Sequence, residues 1–180
     1  MTKQTKFISA IALQLMILIV IIIFKVSVIS SGTDILLEIE PVDPRDMLRG
    51  DYATFQYSDV SNVYSYNTGA QQIRNGDTVY VVLGQRGKYW TEERIQKTKP
   101  VRGEIFIKGK VDRGGEDDLA YRSSSRYRLH ITYGIEEYFI PEGKGQGFNF
   151  RNKDASARIA VDENGNAVLK EIYIDDKPWP

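Results

Sequence analysis

The sequence predicts an all-β domain, a sandwich or partly open barrel of about eight to ten short antiparallel strands, preceded by one N-terminal transmembrane helix. Three observations carry that expectation. The stretch from Phe7 to Phe24 is apolar apart from Ser9 and Gln14. Beyond residue 33, short runs rich in β-branched and aromatic residues recur between Gly, Asn and Pro turn signals. Finally, "ENGN", Glu163 to Asn166, sets an Asn-Gly pair between two apolar runs, the strongest short hairpin signal in the chain.

As a helix, Phe7–Phe24 rises about 27 Å, close to a hydrocarbon core of about 30 Å. The span lengthens to residues 7–29 once Lys25 extends its ammonium to the interface. A cleaved signal peptide carries an apolar core of about 7–15 residues. This stretch is longer, and only weak cleavage sites stand around Val28 to Gly32. A soluble helix apolar all round needs a much larger protein to bury it. The reading is an uncleaved signal anchor over residues 1–32, held in the cytoplasmic membrane. Lys3 and Lys6 precede the span, and "SGTDILLEIE" after it has no basic residue. The positive-inside rule then leaves the N-terminus in the cytoplasm and residues 33–180 as a periplasmic or extracellular domain.

The chain is neutral overall, and its first 32 residues hold three lysines and no acid, so the remainder carries a net −3. That balance argues against nucleic acid as a partner. There is no cysteine, which excludes disulfides, thiol catalysis and zinc–thiolate sites.

Taken in order, Ile35–Pro41 reads as a strand ended by proline. Tyr52–Ser58 alternates Tyr52, Thr54 and Gln56 against Ala53, Phe55 and Tyr57, the period of a half-buried strand. A turn at Asn75–Asp77 opens the β-branched run Thr78–Gln85, and Arg86–Thr91 reads as a tight hairpin return. Trp90–Lys99 is expected as one short helix. Val101–Val111 alternates, with Ile105 and Ile107 on one face; Tyr127–Gly134 and Glu136–Gly143 follow, and Ala157–Asp175 holds two strands. Ser61–Asp77 and Asp112–Arg126, rich in Gly, Ser, Asn and charge, read as long surface loops.

The chemistry-bearing residues concentrate in two blocks. In "DPRDMLRGDYATFQY", Asp43 to Tyr57, Pro44 and Gly50 have backbone reasons to stand before a strand. Arg45, Arg49 and Asp51 are either ion-pair scaffolding or a recognition surface. The Arg-Gly-Asp inside it is too short a match to indicate adhesion. In "YGIEEYFIPEGKGQG", Tyr133 to Gly147, the Gly-rich end lacks the Lys-Ser/Thr and the strand–loop–helix context of a phosphate cradle. Glu136 and Glu137 are adjacent on a strand and point to opposite faces, so they do not form an acid–base pair. Asp51 paired with Glu136 or Glu142 stays open. His130 is the only histidine, lies inside "RLHIT", and reads as a structural strand residue. No spacing supports a metal site, and no cofactor is implied.

"GDYATFQY", Gly50 to Tyr57, resembles the signature of the bacterial GDYXXLXY family, with Phe55 in place of the family's leucine. "PRDMLR" before it resembles the family's lead-in, and Tyr133–Gly147 resembles a Tyr-Gly-Ile-Glu…Phe-Pro-Glu-Gly segment of the same family. The chain departs from it after Gly147, where "FNFRN" replaces an acidic continuation. The resemblance implies a membrane-anchored exported domain and no particular reaction. It also implies a multi-spanning membrane protein as partner, since members are often encoded beside or fused to such proteins.

The expected role is a binding or assembly module at the membrane. The candidate binding residues are Arg45, Arg49, Gly50, Asp51, Tyr52, Tyr57, Tyr133, Glu136, Tyr138 and Glu142; no catalytic residue is assigned. Two alternatives stand beside it. A Ser-Lys hydrolase faintly similar to signal peptidases would use Ser30 or Ser31 with Lys108 or Lys110. A small-ligand or glycan module would stack its ligand on Tyr52, Tyr57, Tyr133 and Tyr138.

Overall fold

The structure is a computed structural model that describes residues 2–41, 52–64, 72–114, 128–139 and 153–179. Helix α1 (Lys3–Ser31) starts at Thr2, whose side chain accepts the Thr5 N–H. It is long and apolar enough to cross a membrane, and no residue of its most apolar stretch is buried against the protein. Only Val28 is covered. The helix ends at Gly32, and strand β1 (Thr33–Pro41) begins at the next residue.

The strands after it form two antiparallel sheets that curl toward closure. Besides β1, the larger sheet uses β2 (Tyr52–Tyr57), β8 (Glu137–Phe139), β9 (Ala155–Val161), β10 (Ala167–Ile174) and β11 (Lys177–Trp179). Its order is β11-β10-β9-β1-β2-β8. The smaller sheet is built from β3 (Asn62–Tyr64), β4 (Thr78–Arg86), β5 (Tyr89–Gln96), β6 (Phe106–Arg113) and β7 (Arg128–Thr132). Its order is β3-β7-β6-β4-β5. The expected all-β class is what forms, with eleven strands among the described residues. The two left out of the sequence reading, β3 and β11, are three residues each, too short to show a period.

One core fills the space between the sheets. The larger sheet contributes Ile35, Leu37, Phe55, Tyr57, Ile159 and Ile172; the smaller contributes Val81, Ile95, Ile107, Leu129 and Ile131. Each such side chain stabilises the fold by about 1.5–3 kcal/mol relative to exposure. The larger sheet curls far enough that Tyr138 on one edge strand meets Trp179 on the other, ring centroids 5.8 Å apart. Ile73, in a stretch read as surface loop, is fully buried in the same core.

The helix expected over Trp90–Lys99 is corrected: these residues begin in β5, paired antiparallel with β4 from Gln96 opposite Tyr80 to Tyr89 opposite Arg86. The register slips between Arg94 and Glu92, so Glu93 is an extra residue in a bulge. The bulge shifts the alternation, so that Trp90 before it and Ile95 after it both reach the core. Broken alternation is why the strand did not read as one. Ten residues are also too few to hold a helix without a packed face.

The Asn164-Gly165 hairpin forms, with a loop from Asp162 to Asn166 that is longer than a two-residue turn. The Asp162 carboxylate accepts the N–H groups of Asn164 and Asn166, both at 2.8 Å. Gly165 has φ +79° and donates to the Asp162 carbonyl. A Cβ there would stand 2.8 Å from the Phe106 ring and 2.9 Å from the Lys108 nitrogen.

Candidate functional site

The two blocks singled out in the sequence are neighbours in space. Strand β2 of the first pairs with β8 of the second: Tyr52 opposite Phe139, Ala53 opposite Tyr138, Thr54 opposite Glu137. The Phe55 N–H extends the contact to the Glu136 carbonyl at 3.0 Å. On its other side β2 pairs with β1, Tyr57 opposite Ile39. The strand is half-buried, as its alternation predicts: Phe55 and Tyr57 are fully buried, whereas Thr54 is exposed and Gln56 half-buried.

Tyr57 joins the blocks a second time. Its hydroxyl donates to the Ile135 carbonyl at 2.6 Å, and its ring meets Phe55 edge-on at 5.7 Å. Burial pushes its phenol well above the ordinary range, with Glu136 and Tyr133 adding to the rise. At its N–H it meets the buried Ser61, whose Oγ accepts at 3.1 Å and whose carbonyl accepts the Ile131 N–H. Ser61 has no sequence signal of its own, because Ser61–Asp77 has the composition of a loop. Tyr133 is partly buried and donates its hydroxyl to the Val60 carbonyl. Its phenol is pushed up by burial first, then by Glu136 and Glu92.

Glu136 is held inside its own turn. One carboxylate oxygen accepts the Tyr133 N–H, and the other accepts the Ile135 N–H at 2.9 Å. Glu137, one residue on, is exposed. Tyr138 packs against Trp179 and the core. A tyrosine-lined stacking pocket therefore cannot use Tyr57, whose whole side chain is inside the sandwich. Arg45, Arg49, Gly50, Asp51 and Glu142 lie outside the described residues, and Tyr52 is placed by its backbone in β2.

Beside this junction lies a cleft of about 440 Å³ between β2 and β7, lined by Thr54, Gln56, His130, Thr132, Glu136 and Glu137 among others; Glu136 stands before β8 rather than in it, so the two glutamates line one cleft instead of facing opposite ways. A side-chain relay crosses its wall. Asn62 Nδ2 donates to Gln56 Oε1 at 2.9 Å, and Asn62 Oδ1 lies 3.0 Å from His130 Nδ1. With the amide so directed, His130 donates from Nδ1, and its Nε2 takes no part in the relay. Asn62 sat in a stretch read as loose, so only Gln56 and His130 of this trio were accessible to periodicity.

The Ser-Lys alternative gains no geometry. Ser31 Oγ donates to the Ser27 carbonyl within the helix at 2.7 Å. Lys108 and Lys110 stand exposed on β6 in the smaller sheet. Among the described residues no group of three or more His, Cys, Asp or Glu side chains is placed to hold a metal ion.

Fold and site together define a curled two-sheet β-sandwich that follows an apolar N-terminal helix, with its two marked sequence blocks hydrogen-bonded at one sheet edge. The family model for GDYXXLXY proteins matches residues 14–172, most of the chain, and the protein belongs to that family. Neither the curated proteins nor the solved structures compared with it include a match.

Proposed function

We propose that this protein is a membrane-anchored binding or assembly module. Its N-terminus is cytoplasmic, its domain from residue 33 onward lies beyond the membrane, and it contacts a membrane-protein partner through the β2–β8 edge. The single observation that supports this reading most is the pairing of the two blocks. Their inward side chains, Phe55 and Tyr57, are consumed by the core. Their outward positions, Thr54 and Glu137, sit side by side on an edge and face the cleft. The helix adds effective concentration, so a weak edge contact suffices for assembly at the bilayer.

The test is site-specific photo-crosslinking in intact cells. A photoreactive residue at Thr54 or Glu137 is expected to give one discrete adduct with an integral membrane protein, and the same probe at Lys177 none. Arg49→Ala and Asp51→Ala should weaken the adduct. Equal labelling at all three positions, or no adduct at the edge, sinks the proposal. A second reading, a small polar ligand in the cleft, is favoured by the fixed relay at His130; it requires that His130→Ala abolish ligand-induced chemical-shift changes at Thr54 and Thr132.

A further inference from the structure

The joint between helix and domain leaves little slack. Val28, one turn from the helix end, is 2% exposed. The Gly32 N–H donates to its carbonyl at 2.9 Å, and a Cβ at Gly32 would lie 2.5 Å from that oxygen and 3.0 Å from the Val161 carbonyl. Thr33 pairs with Val161, and the helix packs against β9 and β10. The Asp162–Asn166 loop therefore lies at the end of the sheet from which the helix departs.

A second loop is fastened to it. The connection from β5 to β6, residues 97–105, reads Lys-Thr-Lys-Pro-Val-Arg-Gly-Glu-Ile. Lys99 Nζ donates to Asn164 Oδ1 at 2.7 Å, and the Lys108 N–H of β6 donates to the Gly165 carbonyl at 2.9 Å. Val101 is 70% exposed, as open as the apolar side chains of the helix itself. Lys99, Arg102 and Lys108 around it are exposed too. The acids nearby are largely engaged: Glu104 pairs with Arg94 at 2.6 Å, Asp77 pairs with Lys97 at 2.7 Å, and Asp162 caps its own loop. Glu163 is the exposed acid of the adjoining loop. In a domain of net negative charge this is a local cationic surface with an apolar tip.

The length of helix beyond Lys25 is comparable with the depth of a bilayer's polar layer. From Lys25, the last charge on the helix, to Ser31 is about 9 Å of helix. The polar layer on each side of the hydrocarbon is about 5–8 Å deep. We infer that the β5–β6 connection is a second membrane contact: Val101 enters the boundary between headgroups and acyl chains, and Lys99 and Arg102 meet lipid phosphates of the leaflet from which α1 emerges. The inference rests on the proposed span of α1.

The full chain has no cysteine, so single-cysteine variants take one label each. The protein is reconstituted in vesicles of phosphatidylethanolamine and phosphatidylglycerol, with a polarity-sensitive fluorophore at Val101→Cys, at Val20→Cys within the helix, or at Asp176→Cys. Asp176 lies on the β10–β11 turn, at the opposite end of β10 from the helix. The Val101 label is expected to shift to the blue and to be quenched by lipid-borne quenchers. Lys99→Glu with Arg102→Glu should reverse both effects, and the Asp176 label should show neither. A quenched Val20 label with a Val101 label that behaves like Asp176 overturns this inference and leaves the anchor intact. An unquenched Val20 label removes the span, and the inference with it.

Discussion

The β9–β10 hairpin and the β2–β8 pair hold their places by different means. Strand β9 is paired along its length on both sides, with β1 and with β10, and six of its seven residues are buried. Strand β8 has three residues and three paired positions, all on β2. A long ladder fixes register by repetition, so an alternating apolar sequence suffices there. A short ladder does not, and specific side chains supply what the backbone lacks: Tyr57 reaching Ile135, Glu136 closing its turn, Phe55 filling the core. This gives a physical reason for the recognisable motif of the family to lie on a small edge rather than on the long β9–β10 hairpin.

Truncation tests the contrast most severely. Phe55→Ala at the edge should cost about 3–5 kcal/mol, as much as Ile159→Ala on β9 at about 2–5 kcal/mol, measured by chemical denaturation in detergent. A much smaller loss at Phe55 would mean the edge contributes little to the fold. Gly165→Ala asks the same of the hairpin loop. Its φ and its contact with Phe106 predict a loss of about 1–3 kcal/mol, visible as a lower Tm.

Finer changes sharpen the comparison. Tyr57→Phe keeps the ring and removes the bond to Ile135, for a cost of about 1–2 kcal/mol. It also bears on pH. The folded-state phenols of Tyr57 and Tyr133 are both raised, so their contribution is complete below the unfolded value near 10 and is lost as pH climbs above it. Alkaline unfolding should therefore become less steep with pH in Tyr57→Phe. The smallest effect belongs to the far end of the hairpin. There Lys88 holds Asp154 at 2.7 Å, and that hydrogen bond, followed by one from Tyr89, keeps the Asp154 carboxyl below its usual value. Its contribution is present above the unfolded value near 3.9 and fades as pH falls through the lower folded one. In Lys88→Gln, NMR titration should find Asp154 moved back up toward the ordinary range.

Local chemistry made much of this legible in advance. The alternation of Tyr52–Tyr57 marked a half-buried strand without saying which face turns inward, and the Asn-Gly signal located the last hairpin. Where a strand broke its own period, as β5 does at Glu93, the pattern misled. The three-residue strands β3 and β11 offered no pattern at all. The site was legible only as two separate blocks. Their pairing is a contact between residues about eighty positions apart, and periodicity is blind to such contacts. The relay from Gln56 through Asn62 to His130 was hidden for the same reason.

The meeting of Tyr138 and Trp179 across the two edges of the larger sheet has a practical yield. The chain has two tryptophans, Trp90 and Trp179. With Trp90 replaced by phenylalanine, Trp179 becomes the one tryptophan emitter, its ring against Tyr138 on the motif-bearing edge. Its emission colour then forms an optical gauge of the seam, readable in a cuvette whenever a partner, a lipid or a substitution pulls that edge away.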